Sequence, residues 1–488
     1  MSNMSTLTKA DVRTVIDVIK GLYLADMIPW ICGYSGGKDS TAVVQLVWMA
    51  LSELPQENLK KNVYVISTDT LVESPVVSLW AKRSLDKMKE EAKTSGLPII
   101  PRPLTPLVDN TFWVNLIGRG YPHPRKNFRW CTDRLKIEPS NRFIKEILDA
   151  ESEAILILGT RKAESASRKA TMEGYEKRRY RDYLSPNGSF PNSYVFTPIE
   201  NWSNDNVWQF LMQYANPWGH SNKDLMSMYS GASADGECPL VFDASTPSCG
   251  NSRFGCWVCT MVEEDKSMAA MIHNDEEKAW MLPMLEFRNE IADRNADWGR
   301  RDFRRKDGRL TYNANTGRLV HGPYTQDTRE QFLRRLLRVE KLIHEIGPAE
   351  IQETPLITTE ELQAIRQIWL DEKHEFEDKL PQIFEEETGC PYHDNLIRRN
   401  RYFSAQEARL LDQVCDELHP SEDLLPGLQR ALLDIEAKAA TSISKKNVIK
   451  NFEAEIKKAF YRNEGDALRV AEQRKQAFLL EDEDEPSE

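Results

Sequence analysis

Apolar and polar positions in the N-terminal part of the chain follow two periods in turn. Continuous apolar runs at Ile28–Tyr34, Asn62–Thr68, Leu97–Leu104 and Ala154–Gly159 alternate with longer stretches at Thr8–Leu24, Ser40–Leu51, Pro75–Thr94 and Asp133–Ala150. The longer stretches carry apolar residues at helical spacing, whereas the short runs read as strands, and Ala154–Gly159 as one buried on both faces. Strands alternating with helices predict an α/β fold with a doubly wound, mostly parallel sheet. Ligands of such sheets bind at the carboxyl ends of the strands.

The pattern changes beyond Pro198. A helix opened by Ser203 is expected over Trp202–Tyr214, and Gly231–Gly255 is rich in Gly, Ser, Pro and Asp, a loop composition. Charges crowd Phe287–Lys306, and Arg309–Tyr312 and Arg318–His321 flank Asn315-Thr-Gly317 as a hairpin would. From Thr328 the period is helical, with capping boxes at Thr358/Glu361 and Ser404/Glu407. The expected organisation is a sheet domain over 1–230, a cysteine-rich insert with a basic hairpin over 231–327, an α-helical C-terminal region over 328–480, and an acidic tail over 481–488. No internal repeat is evident.

Composition narrows this picture. The 488 residues suffice for more than one domain, and no apolar run approaches a membrane span. Lys9, Asp11, Arg13 and Asp17 interrupt the N-terminal stretch, so no secretory signal is expected and the cytoplasm is the expected compartment. A net charge of −12 argues against attraction of nucleic acid to the whole molecule and requires any such contact to be local. In that compartment eight cysteines suit metal ligation, thiol chemistry or core packing better than disulfides.

The strongest chemical signal is Ser35-Gly36-Gly37-Lys38-Asp39-Ser40, between the first strand and its helix. Paired glycines let backbone N–H groups approach an anion, the helix N-terminus adds partial positive charge, and Lys38, Ser35 and Ser40 add a cation and hydroxyls. This is not a Walker A loop: the first glycine of that pattern would fall on Cys32, and Asp39 stands where Ser or Thr is required. Asp69, Thr70 and Glu73 follow the second strand, where an Asp can be turn chemistry alone. Arg129, Arg134 and Lys136 surround Cys131, an arrangement that would favour its thiolate and suit a phosphate or sulfate. Read otherwise, Cys131 is a core residue beside a solvated charged face. Gly159-Thr-Arg161-Lys162-Ala-Glu164-Ser165 follows the buried strand.

The loop SGGxDS resembles that of the PP-loop ATP pyrophosphatases. Followed by RxCTxxxK and LGxRxxES in that order, it resembles the PAPS reductase branch of that superfamily. The resemblance implies ATP, with Mg2+, bound on Ser35–Ser40 and cleaved to AMP and pyrophosphate. It implies that Arg161 reaches nucleotide or activated substrate while Glu164 and Ser165 steady their loop, and that the Asp69–Glu73 loop closes on adenosine. Iron–sulfur adenylylsulfate reductases have two adjacent cysteines in the second motif, where this chain has Trp130-Cys131.

Cys238, Cys249, Cys256 and Cys259, separated by ten, six and two residues, suit a tetrahedral thiolate site, either an Fe–S cluster or zinc. This spacing leaves Cys131 for sulfur transfer. Cys390 and His393 look like half a metal site, and Cys32 and Cys415 like core residues. Over its whole length the chain resembles the DNA phosphorothioation proteins. That resemblance implies a [4Fe–4S] cluster, DNA as substrate, DndD and DndE as partners, and a cysteine desulfurase, DndA or IscS, as sulfur source. Reduction of adenylylsulfate or its 3′-phosphate is the alternative, and a nucleotide-binding scaffold a third reading. Two basic segments with interleaved tyrosines, Arg161–Tyr183 and Arg300–Arg309, could contact a nucleic-acid backbone or be solvated surface.

Overall fold

The computed structural model describes residues 6–232, 254–313, 315–393, 404–441 and 447–483. The chain forms two compact units that interleave in sequence. One comprises Met1–Leu107, Pro124–Arg288 and Ile346–Thr354; the other comprises Val108–His123, Asn289–Glu345 and Pro355–Glu488. Cys238 and Cys249 lie outside the described residues, as do the last five residues of the acidic stretch. Its first three, Glu481–Glu483, end the helix Glu464–Glu483.

The first unit is built on strands β1 (Trp30–Gly33), β2 (Val63–Thr68), β3 (Ile99–Leu104), β4 (Ala154–Ile157), β5 (Ser185–Pro186) and β6 (Ser193–Phe196). Their order is β3-β2-β1-β4-β6-β5, and every pairing is parallel except that of β5 with β6. The expected α/β architecture with a mostly parallel sheet is what the chain adopts. Pro101 and Pro103 sit in β3, an edge strand, where a missing N–H donor is tolerated.

The period-2 alternation of the strands divides the core. Trp30, Cys32, Val63, Val65, Ile155 and Ile157 face one layer, packed with helices α1 (Lys9–Leu24) and α2 (Lys38–Ser52). Ile31, Ile66, Ala154 and Leu156 face the other, against Phe143, Ile144 and Ile147 of the helix Glu138–Glu151. β4 is buried along its length, as its unbroken apolar run requires. α1 is closed by a capping box between Thr8 and Asp11, and α3 (Pro75–Thr94) opens with Pro at its first turn.

The chain runs from β1 out to β2 and β3, then returns to β4 on the other side of β1, so the sheet reverses direction between β1 and β4. The loops following these two strands are Ser35–Ser40 and Gly159–Ser165, the places the sequence marks for chemistry. The first loop is shorter than its motif. Gly37 is the extended N-cap, and Lys38, Asp39 and Ser40 form the first helical turn, because Thr41 N already donates to Gly37 O at 3.0 Å.

In the second unit the helix Gln326–Ile346 buries Phe332, Leu333, Leu336 and Ile343. The π-helical turn Val114–Gly118 packs on the helix Thr359–Asp371: Trp369 Nε1 donates to Ile117 O at 3.0 Å, and Trp113 Nε1 to Leu356 O at 2.7 Å. The capping boxes at Thr358/Glu361 and Ser404/Glu407 are present. Tyr312–Asn313 and Arg318–Leu319 pair as the expected hairpin.

Candidate nucleotide and thiol site

Gly36 has φ of +72°, a conformation that favours glycine, and a Cβ there would lie 3.2 Å from Ala81 Cβ. Trp80 Nε1 donates to Gly36 O at 3.1 Å, so α3 holds the outer side of the loop. Within it, Ser35 N donates to Ser40 Oγ at 3.1 Å, and Ser40 Oγ donates to Gly37 O at 3.0 Å. The loop is closed on itself by these two bonds. The opposite side is bounded by Tyr229, whose hydroxyl accepts the Lys38 backbone N–H at 3.4 Å and would meet a Gly37 Cβ at 3.1 Å. Burial pushes the Tyr229 hydroxyl up to about 12, so it stays protonated.

β4 delivers the second loop directly onto the first. A Cβ on Gly159 would lie 3.0 Å from both Asp39 C and Asp39 O and 3.2 Å from Ser40 N. Only glycine permits that approach. Two residues on, Arg161 is buried, and its Nε donates to Asp39 Oδ1 at 2.7 Å; Asp39 Oδ2 lies 3.0 Å from Lys38 Nζ. Glu164 Oε1 accepts Arg161 N at 2.9 Å, and Ser165 caps the helix Ala166–Glu176 by accepting Arg168 N. Glu164 and Ser165 thus steady the loop that carries Arg161. Both cations beside the loop, Lys38 and Arg161, are thus engaged with Asp39, and Arg161 Nη1 also donates to Trp202 O at 3.3 Å.

The loop after β2 approaches from the other side. Asp69 Oδ1 accepts Leu71 N at 2.9 Å, an Asx turn, and Leu71 takes a φ of +62°. Thr70 is fully buried, with Oγ1 3.3 Å from Cys256 Sγ. Glu73 pairs with Cys256 in an antiparallel bridge, and Trp257 N donates to Val72 O at 2.9 Å. Turn formation by Cys256–Cys259 follows, with Cys259 N donating to Cys256 O at 3.0 Å.

Three thiols are gathered here. Cys131 feels the charge of Cys259, and Lys136, on the turn after Cys131, feels Cys256, Glu73, Cys259 and Cys131 together. Lys136 Nζ lies 3.8 Å from Glu73 Oε1. Lys136, exposed at the surface, is raised from its ordinary value, by Cys256 first and by Glu73 after it. Burial pushes Cys256 up to about 11. Burial also raises Cys131, and Cys259 reinforces it, so the cations expected to favour the Cys131 thiolate are outweighed. Arg129 is exposed at the cap of the turn Trp130–Thr132. Burial likewise raises Glu73.

Sequence reasoning missed two residues here. Arg288 is fully buried, donating to Cys259 O from Nε at 3.0 Å and from Nη2 at 2.8 Å, to Glu263 O at 2.6 Å, and also to Val262 O. It holds the backbone of the thiol turn. The other is Tyr229, whose ring meets Phe254 edge-on at 4.7 Å and so links the cysteine segment to the phosphate loop. An aromatic at Phe254, just before the CxxC, was the available signal for that link.

Among the described residues, no three His, Cys, Asp or Glu side chains are arranged to hold a metal ion. Cys32 and Cys415 are buried, as expected of core residues, and Cys390 is exposed. Among the described residues no helix is long and apolar enough to cross a membrane. Many charges of the two basic segments are already paired: Lys162 with Glu176 at 2.5 Å, Arg179 with Glu200 at 3.2 Å, Arg301 with Asp297 at 3.0 Å and Arg304 with Asp302 at 2.6 Å. The helix Ala166–Glu176 buries none of its side chains.

Residues 29–261, from the strand before the phosphate loop to the turn holding Cys256 and Cys259, match the phosphoadenosine phosphosulfate reductase domain. This stretch is a PAPS reductase domain. The match covers just under half of the chain. The chain is similar to two uncharacterized proteins of Methanocaldococcus jannaschii. Identity with MJ0066 is 28% over 206 residues (42% of this chain, 36% of the relative), and with MJ0973 28% over 178 residues (36% and 34%). The chain therefore spans about a third of the length of these curated relatives. Solved structures with distant likeness include the PAPS reductase of Candida auris in a phosphate complex, at 13% identity, 43% of this chain, 88% of that chain and a TM-score of 0.27. Another is the U34-tRNA thiolase NcsA of Methanococcus maripaludis with its [4Fe-4S] cluster, at 13% identity, 59% of this chain, 81% of that chain and a TM-score of 0.28. Likeness at that level carries no weight for chemistry.

Proposed function

We propose that this chain is an ATP-dependent sulfurtransferase of the DndC type, acting on the DNA backbone. One observation carries the reading: the turn holding Cys256 and Cys259 is tied to the loop after β2 and, through Phe254 and Tyr229, to the phosphate loop. That tie supports nucleotide activation and thiol chemistry at the carboxyl end of the same sheet. ATP, with Mg2+, lies with its β- and γ-phosphates on Ser35–Ser40. A non-bridging oxygen of a DNA phosphate attacks the α-phosphorus, and pyrophosphate leaves with its developing charge met by Lys38 and the loop N–H groups. A sulfur nucleophile then attacks the DNA phosphorus, forming the P–S bond, and AMP leaves with the former DNA oxygen. In this reading Arg161, held by Asp39, meets the charge on the adenylate.

The four cysteines Cys238, Cys249, Cys256 and Cys259 would hold the [4Fe–4S] cluster that this reading brings with it. The thiol donor set at Cys256 and Cys259 is chemically suited to iron. A bound cluster supplies iron that binds sulfur or passes single electrons. Cys131, beside Cys259, is the thiol nearest that work. DNA is the substrate in this reading, DndD and DndE are the partners, and a cysteine desulfurase, DndA or IscS, is the sulfur source.

The test is mass spectrometry of nuclease-digested DNA from cells carrying the whole modification system. Phosphorothioate dinucleotides should disappear in Lys38→Ala and Cys131→Ser at unchanged protein level. Unaltered DNA sulfur on deletion of the gene would refute the reading. Reduction of adenylylsulfate or its 3′-phosphate is favoured by one observation, the gathering of Cys131 with the CxxC pair, and predicts sulfite release from adenylylsulfate with a thiol reductant.

A further inference from the structure

Between the helix Ala166–Glu176 and the β5–β6 hairpin lies a cavity of about 250 Å³. It opens at the carboxyl ends of β4 and β6, beside the loop that carries Arg161 but outside the phosphate loop. Leu158 and Val195 give it apolar surface from the sheet, Met172 and Tyr175 from the helix, and Pro186 from β5. Two carboxylates also line it, Glu176 and Glu200. Both are held by neighbours: Lys162 Nζ lies 2.5 Å from Glu176, Arg179 lies 3.2 Å from Glu200, and Thr197 Oγ1 donates to Glu200 at 3.2 Å. A carboxylate fixed in this way still has lone pairs to offer. Thr160, Thr171 and Asn187 add further polar groups to the lining.

The cavity is smaller than the ~300 Å³ at which pockets for drug-sized ligands begin, so it takes one ring system, not a nucleoside triphosphate. Apolar walls with fixed acceptors select a flat body that carries N–H donors. The surroundings supply the rest of the ligand. Arg168 and Lys169 are exposed along the helix but paired with Glu164 and Glu173, whereas Lys177 and Arg178 are exposed just beyond it, and the Arg178 guanidinium lies 5.0 Å from the Tyr175 ring centre. Cations outside a cavity with the Tyr175 ring in its wall suit a strand whose phosphates stay in solvent while one base enters.

We propose that this cavity takes one unstacked, amino-bearing nucleobase of a polynucleotide strand whose phosphates run past the exposed cations Lys177 and Arg178 at the end of the helix Ala166–Glu176. The proposal rests on the nucleic-acid reading above and deepens it. Cytosine, adenine and guanine carry the exocyclic amine that Glu176 or Glu200 can accept from; thymine does not.

The test is fluorescence anisotropy with labelled single-stranded 12-mers of dC and of dT, using the full-length protein. The expected result is about tenfold tighter binding of the dC strand, lost in Met172→Trp, which fills the cavity, with dT binding unchanged. Thr171→Trp, at an exposed lining position, fills the same space should Met172→Trp fail to fold, and ATP-dependent pyrophosphate release reports folding of either variant. Equal binding of the two strands, or a preference that survives both fillings, overturns the pocket while leaving the nucleic-acid reading intact. Failure of the wild-type protein to bind any strand overturns both. Competition by free dCMP at equal base concentration overturns the strand as source and makes the cavity a mononucleotide site.

Discussion

The carboxylate of Asp39 stands between two cations, with Oδ1 accepting Arg161 Nε at 2.7 Å and Oδ2 facing Lys38 Nζ at 3.0 Å. One acidic residue thus couples the loop after β1 to the loop after β4. Arg161→Met removes one cation and leaves Asp39 to neutralise Lys38. Pyrophosphate release at saturating ATP should fall by about 10²-fold, the scale for loss of one positioned charge. Stability should fall as well, by about 1–3 kcal/mol, because the Trp202 carbonyl loses the Arg161 Nη1 donor, so activity is compared at a temperature where the variant is folded. A variant that releases pyrophosphate at the wild-type rate would remove Arg161 from the nucleotide site.

Gly159 gives a steric prediction. In Gly159→Ala the new methyl would meet the Asp39 backbone at 3.0 Å, and backbone cannot swing aside as a side-chain tip can. ATP affinity should drop about tenfold or more, the effect of displacing a positioned group by a fraction of an ångström. Gly174→Ala, where nothing lies within 4 Å, should leave ATP binding intact and raise stability by ~0.5–1 kcal/mol as a helix-interior change. Isothermal titration with a non-hydrolysable ATP analogue separates the two.

Arg288 should behave as the brace of the thiol turn. Arg288→Met strips the part-buried carbonyls of Cys259, Val262 and Glu263 of their donor, at a cost of about 1–3 kcal/mol. Iodoacetamide labelling of native protein, read by peptide mass spectrometry, should then show Cys256 and Cys259 reacting faster while buried Cys32 stays protected. Equal acceleration at Cys32 would mean general unfolding instead.

His220 makes stability depend on pH. It stacks on Trp80 at 3.8 Å, and burial, with Lys87 and Arg83 adding to it, lowers its pKa from the ordinary 6.5 to about 4. The unfolded chain therefore binds a proton between those values that the folded chain refuses. The stabilisation is present above about pH 6.5 and is lost as pH falls towards 4, a contribution on the order of 3 kcal/mol. Replacing His220 with Gln should flatten the decline of the urea midpoint between pH 6.5 and 4.5. An unchanged slope would assign the acid sensitivity to other groups.

The strands and helices of the sheet were legible because their periods are local. Pro75–Thr94 is bounded by a proline at its start, and Ala154–Ile157 shows the unbroken apolar run of a doubly covered strand. The phosphate loop was legible because glycine spacing is itself a backbone requirement. What the sequence could not show was the partner of each group. Cys131 and Cys259 stand far apart along the chain, and tertiary contacts hold the CxxC turn in place, among them the Glu73–Cys256 backbone bridge and the Thr260 Oγ1 bond to Pro124 O at 2.8 Å. The expected Cys131 thiolate counted the charges nearby in sequence and omitted burial, which acts against it. Arg288 carries no motif, since its donors are spent on carbonyls that any sequence would provide.

The interleaving of the two units sets the order in which they can be completed during synthesis. Ile346–Thr354 belongs to the unit that holds the sheet, and Arg83 of α3 pairs with Glu350 of that segment at 2.5 Å. A ribosome must therefore make all of Asn289–Glu345 before the sheet unit has its last piece. A fragment cut at residue 261, where the matched domain ends, would also lack Arg288 and leave the thiol turn without its brace. The domain is thus a unit of ancestry but not a cassette that can be excised.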